Sequence, residues 1–298
     1  MSNQFIIDKK PYSLGKDIDG NEHTIRELQD IILDMVLEFD RVCRKNNIPY
    51  ALAFGTAIGL VNYGGFIPWD DDADIIVMYE DLPRLIEALK KDLGEDYYFH
   101  CFETDDKYYP IIPTMKIRKK NTYVKETNSL HLPNRCKGDG LYLDVCAFMG
   151  VPEDEQEHRK LIKYSKRKMP WFVFFNSYLH INMKRMKRKL KFFEKEVAEK
   201  YKDSKQISQT VIIPFQDWTN ECYVEKLSFP RDVILPFKEY DFEGHKLYSF
   251  NNVEEFVRLR YGENTLKKWD GEKYYTDYPE KERFARHIKK YSLTRDKK

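Results

Sequence analysis

Apolar residues at Leu28, Ile31, Ile32, Met35, Val36, Phe39 and Val42 recur every three or four positions behind Thr24-x-x-Glu27. That spacing predicts a long amphipathic helix over about 25–45, opened by a capping box and packed on a sheet through its apolar stripe. Tyr50 to Phe54 is a short unbroken apolar run of strand length. Gly55-Thr56 then opens a new segment, predicted as a helix of about two turns from Ala57 to Asn62 and broken by Gly64-Gly65. The next strand falls within Trp69 to Met78, and Asp81 is placed to cap a helix carrying Leu82, Leu85, Ile86 and Leu89.

Strands are expected at Tyr97 to Phe102, Thr114 to Arg118 and Leu141 to Phe148. From Glu153 to Tyr201 the pattern is helical, interrupted at Pro170. Beyond it lie strand-like pieces at Thr210 to Ile213 and His245 to Ser249, a helix from Val253 to Tyr261 ended by Gly262, and a polar tail. No internal repeat is visible. The first half reads as α/β or α+β; for the whole chain we expect an α+β fold, a mixed sheet flanked by helices with a helical insertion and a small C-terminal region. The expected divisions are a catalytic core over 1–150, a basic helical segment over 151–205 and a C-terminal region over 206–298.

Composition supports a folded chain, since 298 residues with 42% hydrophobic content can build a sizeable core. Residues 1–24 lack an apolar stretch behind a basic start, and the longest apolar runs, such as Trp171 to Phe175, are too short to span a bilayer. A cytoplasmic location is expected. Five scattered cysteines without a Cys-x-x-Cys pair argue against a disulfide framework and a structural zinc site, leaving reduced, mostly buried thiols. The histidines show no ligand spacing and read as surface or satisfied core residues.

The net charge of +2 conceals an asymmetry. Twelve Lys or Arg and no acid lie between Arg159 and Lys191, leaving 39 basic against 49 acidic residues elsewhere. The same segment carries Trp171, Phe172, Phe174, Phe175 and Tyr178, a pairing of aromatics and cations that suits an anionic membrane surface. The alternatives are aromatics packed on the catalytic core with the cations as a solvated face, which the base rates favour, and, least favoured, nucleic acid.

Four carboxylates crowd into five residues at Asp70, Asp71, Asp72 and Asp74, directly before the apolar Ile75 to Met78. On an extended strand Asp72 and Asp74 would share one face, roughly 6.5 Å apart. Two such carboxylates can converge on a divalent cation such as Mg²⁺. Asp144, a lone acid inside an apolar strand, is the candidate third ligand, because a buried carboxylate without a partner is costly. Gly55-Thr56 offers backbone N–H groups and a hydroxyl where a phosphate would sit. Strand, Gly-Thr, helix, Asp-x-Asp and a solitary strand Asp together point to a metal-dependent nucleotidyltransferase-type site. The blander reading is a solvated acidic turn plus one salt-bridged acid.

The stretch "FGTAIGLVNYGGFIPWDDDADI" resembles the hallmark of the LicD family, which is also similar to the catalytic domains of fukutin and fukutin-related protein. The family pattern is roughly Gly-Thr-x-x-Gly-x-x-Arg-x-x-Gly-Phe-Ile-Pro-Trp-Asp-Asp-Asp-x-Asp-Ile. Lys116-Ile117-Arg118 with Thr122, the strand bearing Asp144, "DFEGHKLY" and "RLRYGE" extend the resemblance over about 27–265, with a gap in the helical middle. One departure is visible: Asn62-Tyr63 stands where many members have Arg followed by His or a similar residue, which removes a bidentate phosphate-binding group.

The resemblance implies a nucleotidyltransferase-like fold and transfer of a phospho-alcohol, typically phosphocholine from CDP-choline, onto a glycan hydroxyl of a cell-surface polysaccharide, teichoic acid or glycolipid precursor. Asp72, Asp74 and Asp144 match its metal-binding and catalytic carboxylates, with Mg²⁺ or Mn²⁺ as the expected ion. Gly55-Thr56 matches its phosphate-contacting turn, and Asp70 and Asp71 belong to the motif. Asp144 is the candidate base for the acceptor hydroxyl. Lys116 and Arg118 share a strand face, where they either meet the diphosphate or balance the acids. Trp69 and Tyr63 are candidates for an aromatic cage around choline, with core packing as the competing role. The expected partners are a CDP-linked alcohol and a glycan acceptor, lipid-linked or free, with peripheral contact at the inner face of the membrane through 159–191 as the alternative to a solvated face. The rival readings are a nucleotidyltransferase using CTP and a non-catalytic membrane or nucleic-acid anchor of the same fold.

Overall fold

The structure, a computed structural model, describes residues 13–101, 103–105, 108, 114–126, 138–175, 179, 181, 183–209, 228–266 and 287–294. Helix α1 (Ile25–Lys45) begins with the expected box: Thr24 Oγ1 accepts the Glu27 N–H at 3.2 Å, and the Glu27 carboxylate accepts the Thr24 N–H at 2.7 Å. Leu28, Ile32, Met35, Val36, Phe39 and Val42 are buried along one stripe, each worth roughly 1.5–3 kcal/mol for leaving water.

That stripe belongs to the core of a mixed nine-stranded sheet flanked by helices. The strands run in the order Ser228–Pro230 (β10), Gln206–Ser208 (β9), Tyr142–Val151 (β8), Asp74–Met78 (β4), Tyr50–Leu52 (β3), His245–Ser249 (β12) and Lys238–Phe242 (β11). Met115–Lys119 (β6) branches from β8 and carries Tyr97–Cys101 (β5). β4 and β8 are parallel with Asp74 in register with Asp144, while β3 runs antiparallel to β4 and β6 antiparallel to β8. Ten residues long, β8 pairs with β6 through its first part and with β9 through its last. Its burial on both faces explains the near-continuous apolar sequence around Asp144.

Several boundaries differ from the sequence reading, each for a local reason. Helix α2 (Phe54–Tyr63) starts at Phe54, in the left-handed region with φ +49°, so the turn after β3 is tighter than Gly55 alone suggests. Gly64, with φ +67°, closes α2, and a Cβ at Gly59 would stand 2.4 Å from the Gly65 carbonyl oxygen. β4 begins only at Asp74, so Asp72 precedes the strand instead of sharing its face. Helix α3 (Leu82–Asp92) is not capped by Asp81, whose carboxylate instead accepts from Arg84 Nη1 at 2.7 Å. Helix α4 (Glu155–Val173) runs through Pro170 without the expected interruption; the missing N–H removes one backbone hydrogen bond, and the helix ends three residues later. Helix α5 (Lys184–Lys200) follows and buries Val197 against Met149 and Val151 of β8.

The polar tail is in part a strand: Ile288–Ser292 (β13) pairs antiparallel with Tyr123–Glu126 (β7). It is also tied to the N-terminal hairpin of Ser13–Lys16 (β1) and Glu22–Thr24 (β2) through the Ile18 N–H to the Tyr291 carbonyl at 2.9 Å. The strand expected at Thr210 to Ile213 lies outside the described residues. Cys43, Cys101 and Cys146 are buried free thiols; Cys136 and Cys222 also lie outside the described residues.

His158 on α4 is buried with Nδ1 3.1 Å from Ser228 Oγ. Burial, with Arg159 beside it, pushes its imidazole down to about 4. A depressed folded value means the stabilisation is present above the unfolded value near 6.5 and is lost as pH falls toward 4. Urea unfolding at pH 7 and pH 5 should therefore show wild type losing about 2 kcal/mol more than His158→Gln over this interval.

Candidate active site

The parallel pair β4 and β8 sets the floor of the site. Asp74 heads β4 and Asp144 is its neighbour in register on β8, a separation of about 4.8 Å between strands. The backbone locks both: the Ala53 N–H donates to the Asp74 carbonyl at 3.0 Å, and the Asp144 N–H to the Ala73 carbonyl at 3.2 Å. Across the other edge of β8, Lys116 on β6 stands opposite Asp144, its Nζ 2.6 Å from Oδ1 and 3.5 Å above the centre of the Tyr142 ring. Burial first, then the neighbouring carboxylates of Asp72, Asp144 and Asp70, hold the Asp74 carboxyl well above the usual carboxylate range.

The loop carrying Asp70 to Ala73 is strapped from several sides. Buried Gln29 of α1 donates from Nε2 to the Ile67 and Asp70 carbonyls at 2.9 and 3.0 Å. Glu243, between β11 and β12, accepts the Phe66 N–H at 3.0 Å while Arg26 of α1 holds its other oxygen at 2.8 Å. Thr56 Oγ1 accepts the Asp74 N–H at 2.9 Å, so this hydroxyl braces the loop. A Cβ on Gly55 would stand 3.1 Å from Asp70 Oδ2, which puts that carboxylate beside the first turn of α2, the helix end that favours anions. Asp71 is only 3% exposed: its Oδ2 accepts the N–H groups of His287 and Ile288, both at 2.9 Å, and its Oδ1 lies 2.9 Å from His287 Nδ1. The same Nδ1 is 3.1 Å from Asp72 Oδ2.

The other residues named from the sequence lie away from this centre. Arg118 shares the Lys116 face but is 1% exposed and donates to the Gly140 carbonyl at 2.7 Å and His100 Nε2 at 3.0 Å. Tyr63 and Trp69 are buried, with ring centroids 6.3 Å apart edge to face, as a core pair and not an open cage. Asn62 donates from Nδ2 to the Thr265 carbonyl at 2.7 Å, so the position that departs from the family pattern ties α2 to the chain after Val253–Tyr261. A cavity of about 1200 Å³ lined by Arg44, Arg231, Phe237 and Tyr248 holds none of Asp70, Asp71, Asp72, Asp74 and Asp144. Chemistry, not concavity, therefore locates the site.

Asp70, Asp72, Asp74 and Asp144 offer hard oxygen donors in mutual repulsion, the donor set that suits Mg²⁺ or Mn²⁺. Among the described residues, Asp71, Asp72 and His287 have ligand-type atoms all within 4.8 Å of one another. His287 is the member that sequence reasoning missed. Ile288-Lys289-Lys290-Tyr291-Ser292 carries no alternation, since the strand is irregular between Ile288 and Lys290, so nothing local marks a strand or its destination more than 200 residues away.

Residues 47–188 match the family model described as LicD/FKTN/FKRP, nucleotidyltransferase domain. The chain carries a LicD-family domain. Over 257 residues, 80% of this chain and 91% of the relative, it is 24% identical to the lipopolysaccharide cholinephosphotransferase LicD of Haemophilus influenzae. Short segments of 45 and 37 residues are 54% identical to uncharacterised proteins of Rickettsia prowazekii and Rickettsia typhi, covering 15% and 12% of this chain and 17% and 12% of those proteins. The LicD match covers β4, β6 and β8, and hence Asp72, Asp74, Lys116 and Asp144, but ends before Glu243 and His287.

A carboxyl raised by burial and like charge destabilises the fold once ionised, so the stabilisation seen below the unfolded value is lost as pH rises through the folded one. At pH 7 without divalent cations, Asp74→Asn should stabilise the protein by about 1 kcal/mol, and the gain should shrink as pH falls. Thermal melts across pH 4–8 check it.

Proposed function

We propose that this protein transfers a phospho-alcohol, in the first instance phosphocholine from CDP-choline, onto a hydroxyl of a cell-surface glycan. The observation that carries the reading is the set of Asp72, Asp74 and Asp144 at the head of β4 and β8 with Lys116 opposite, inside a LicD-family domain. The similarity to a lipopolysaccharide cholinephosphotransferase supports it. In this reading Asp72, Asp74 and Asp144 would hold Mg²⁺ or Mn²⁺, which when bound neutralises the diphosphate and polarises an oxygen.

The chain's own groups supply the remainder. The acceptor oxygen forms a bond to the phosphorus that bears the alcohol as the bond to CMP breaks, and Asp144 takes the hydroxyl proton. Lys116 Nζ stands 2.6 Å from Asp144 Oδ1 and holds that carboxylate in place. Lys116 and the N–H groups at Gly55-Thr56 counter the diphosphate charge. Asp71 acts as a brace of the loop.

Calorimetry with CDP-choline, CDP-ethanolamine, CDP-glycerol and CTP in the presence of Mg²⁺ tests this. One CDP-alcohol should bind in a metal-dependent way, and Asp72→Ala should weaken it at least roughly tenfold, about 1.4 kcal/mol. Preference for CTP with pyrophosphate release would favour nucleotidyl transfer. Binding of none by the folded protein would leave the non-catalytic anchor.

The acceptor is met, in the same reading, at an anionic membrane surface. At the end of α4 and beyond it, Trp171 is 60% exposed and Leu179 51%, and Phe174 and Ile181 are also exposed. Arg167, Lys184, Arg185, Arg188 and Lys189 surround them in sequence and are exposed. No helix among the described residues is long and apolar enough to cross a membrane, so contact would be interfacial. Sedimentation with phosphatidylglycerol-containing vesicles should fall roughly tenfold for Trp171→Ser with Phe174→Ser, and with added salt, at unchanged CDP-alcohol binding. Wild type that stays in the supernatant would overturn the membrane role.

A further inference from the structure

We propose that His287 is a positioning residue for Asp72, and that β13 is thereby a working part of the site. The inference rests on the reading above that Asp72 helps to hold a divalent cation. His287 Nδ1 faces two carboxylate oxygens, Asp71 Oδ1 at 2.9 Å and Asp72 Oδ2 at 3.1 Å. A nitrogen lone pair there would repel both, so Nδ1 carries the hydrogen and shares it between them. Asp71 itself is committed to the strand: its second oxygen takes the His287 and Ile288 N–H groups. Drawing Asp71 to a metal ion would break hydrogen bonds to a buried carboxylate, each expensive to leave unmade. The Asp71, Asp72 and His287 group is therefore an organiser, with Asp71 as anchor, His287 as bridge and Asp72 as the carboxylate that is aimed.

The bridge is rigid because β13 is held independently of the site. It pairs with β7, with Tyr123 opposite Ser292, and the N-terminal turn grips it through the Tyr291 hydroxyl to the Gly15 carbonyl and Ser292 Oγ to Asp19 Oδ2, both at 2.9 Å. Residues near both ends of the chain therefore fix the orientation of an acid in its first quarter. The His287 contact holds Asp72 beside Asp74 and Asp70 against the repulsion of these like-charged neighbours.

Mg²⁺ and Mn²⁺ binding to the full chain, read by calorimetry and thermal shift without any substrate, tests the proposal with His287→Ala, His287→Asn and Asp74→Asn. Loss of a group that orients a metal ligand typically costs 10–100-fold in affinity, and that weakening is expected for His287→Ala. His287→Asn keeps an N–H donor close to the Nδ1 position and should recover most of the affinity, which a merely structural histidine would not require. Asp74→Asn should abolish binding. If wild type binds and Asp74→Asn does not, yet His287→Ala binds like wild type, the positioning role is overturned while the metal reading stands. Equal loss in the Ala and Asn variants also overturns it, since a bridging N–H would then not suffice. Absence of binding by wild type overturns the metal reading, and the inference with it.

Discussion

Repulsion among carboxylates gathered at the start of two parallel strands is the constraint on which this structure turns. Asp74 and Asp144 are neighbours in register, and Asp70 and Asp72 press on Asp74 from the preceding loop. Left alone, such groups would spread into water. The surrounding structure prevents this by fixing backbone through Gln29 on two carbonyls, Glu243 on the Phe66 N–H and Thr56 on the Asp74 N–H, and by holding the Asp71 carboxylate from β13. The fold holds the acids in place by binding the peptide groups between them.

Two side chains from outside the motif meet the site's carboxylates. Lys116 reaches Asp144 across β6, and His287 bridges Asp71 and Asp72. Arg118, the stronger and more rigid cation, is drawn into a buried network with His100 and the Gly140 carbonyl. A flexible lysine can leave a carboxylate for an incoming phosphate, whereas a forked guanidinium spent on structure cannot. The division of labour between Lys116 and Arg118 therefore suits a site that must exchange partners.

The charge asymmetry along the chain has a spatial counterpart. The acidic balance lies with the sheet and its helices, and the twelve cations of 159–191 fall six on α4 and six on α5, with exposed apolar side chains at the end of α4 and between the two. A body of one sign with a basic, apolar end has a built-in preference for how it meets an anionic surface.

Much was legible from residue order because it depends on neighbours in sequence. The α1 stripe and capping box, the apolar cores of β3, β4 and β8, and the acidic motif that carries the LicD resemblance all follow from local periodicity, local hydrogen bonding or a contiguous pattern. The sequence alone also determined that Asp144 needed a partner, since a solitary acid in a buried strand cannot stand unpaired. It did not determine which partner, because strand register is a long-range property: Lys116 is brought there by β6 beside β8, and Arg118, two residues on, is spent elsewhere. Nor did it show that Asp72 precedes its strand, that Trp69 and Tyr63 face inward, or that the tail returns as β13 to set His287 between two aspartates. Those outcomes were decided by tertiary structure, where strand register and contacts spanning from 28 residues, Lys116 to Asp144, to 216, Asp71 to His287, choose among side chains that are chemically equivalent in the linear chain.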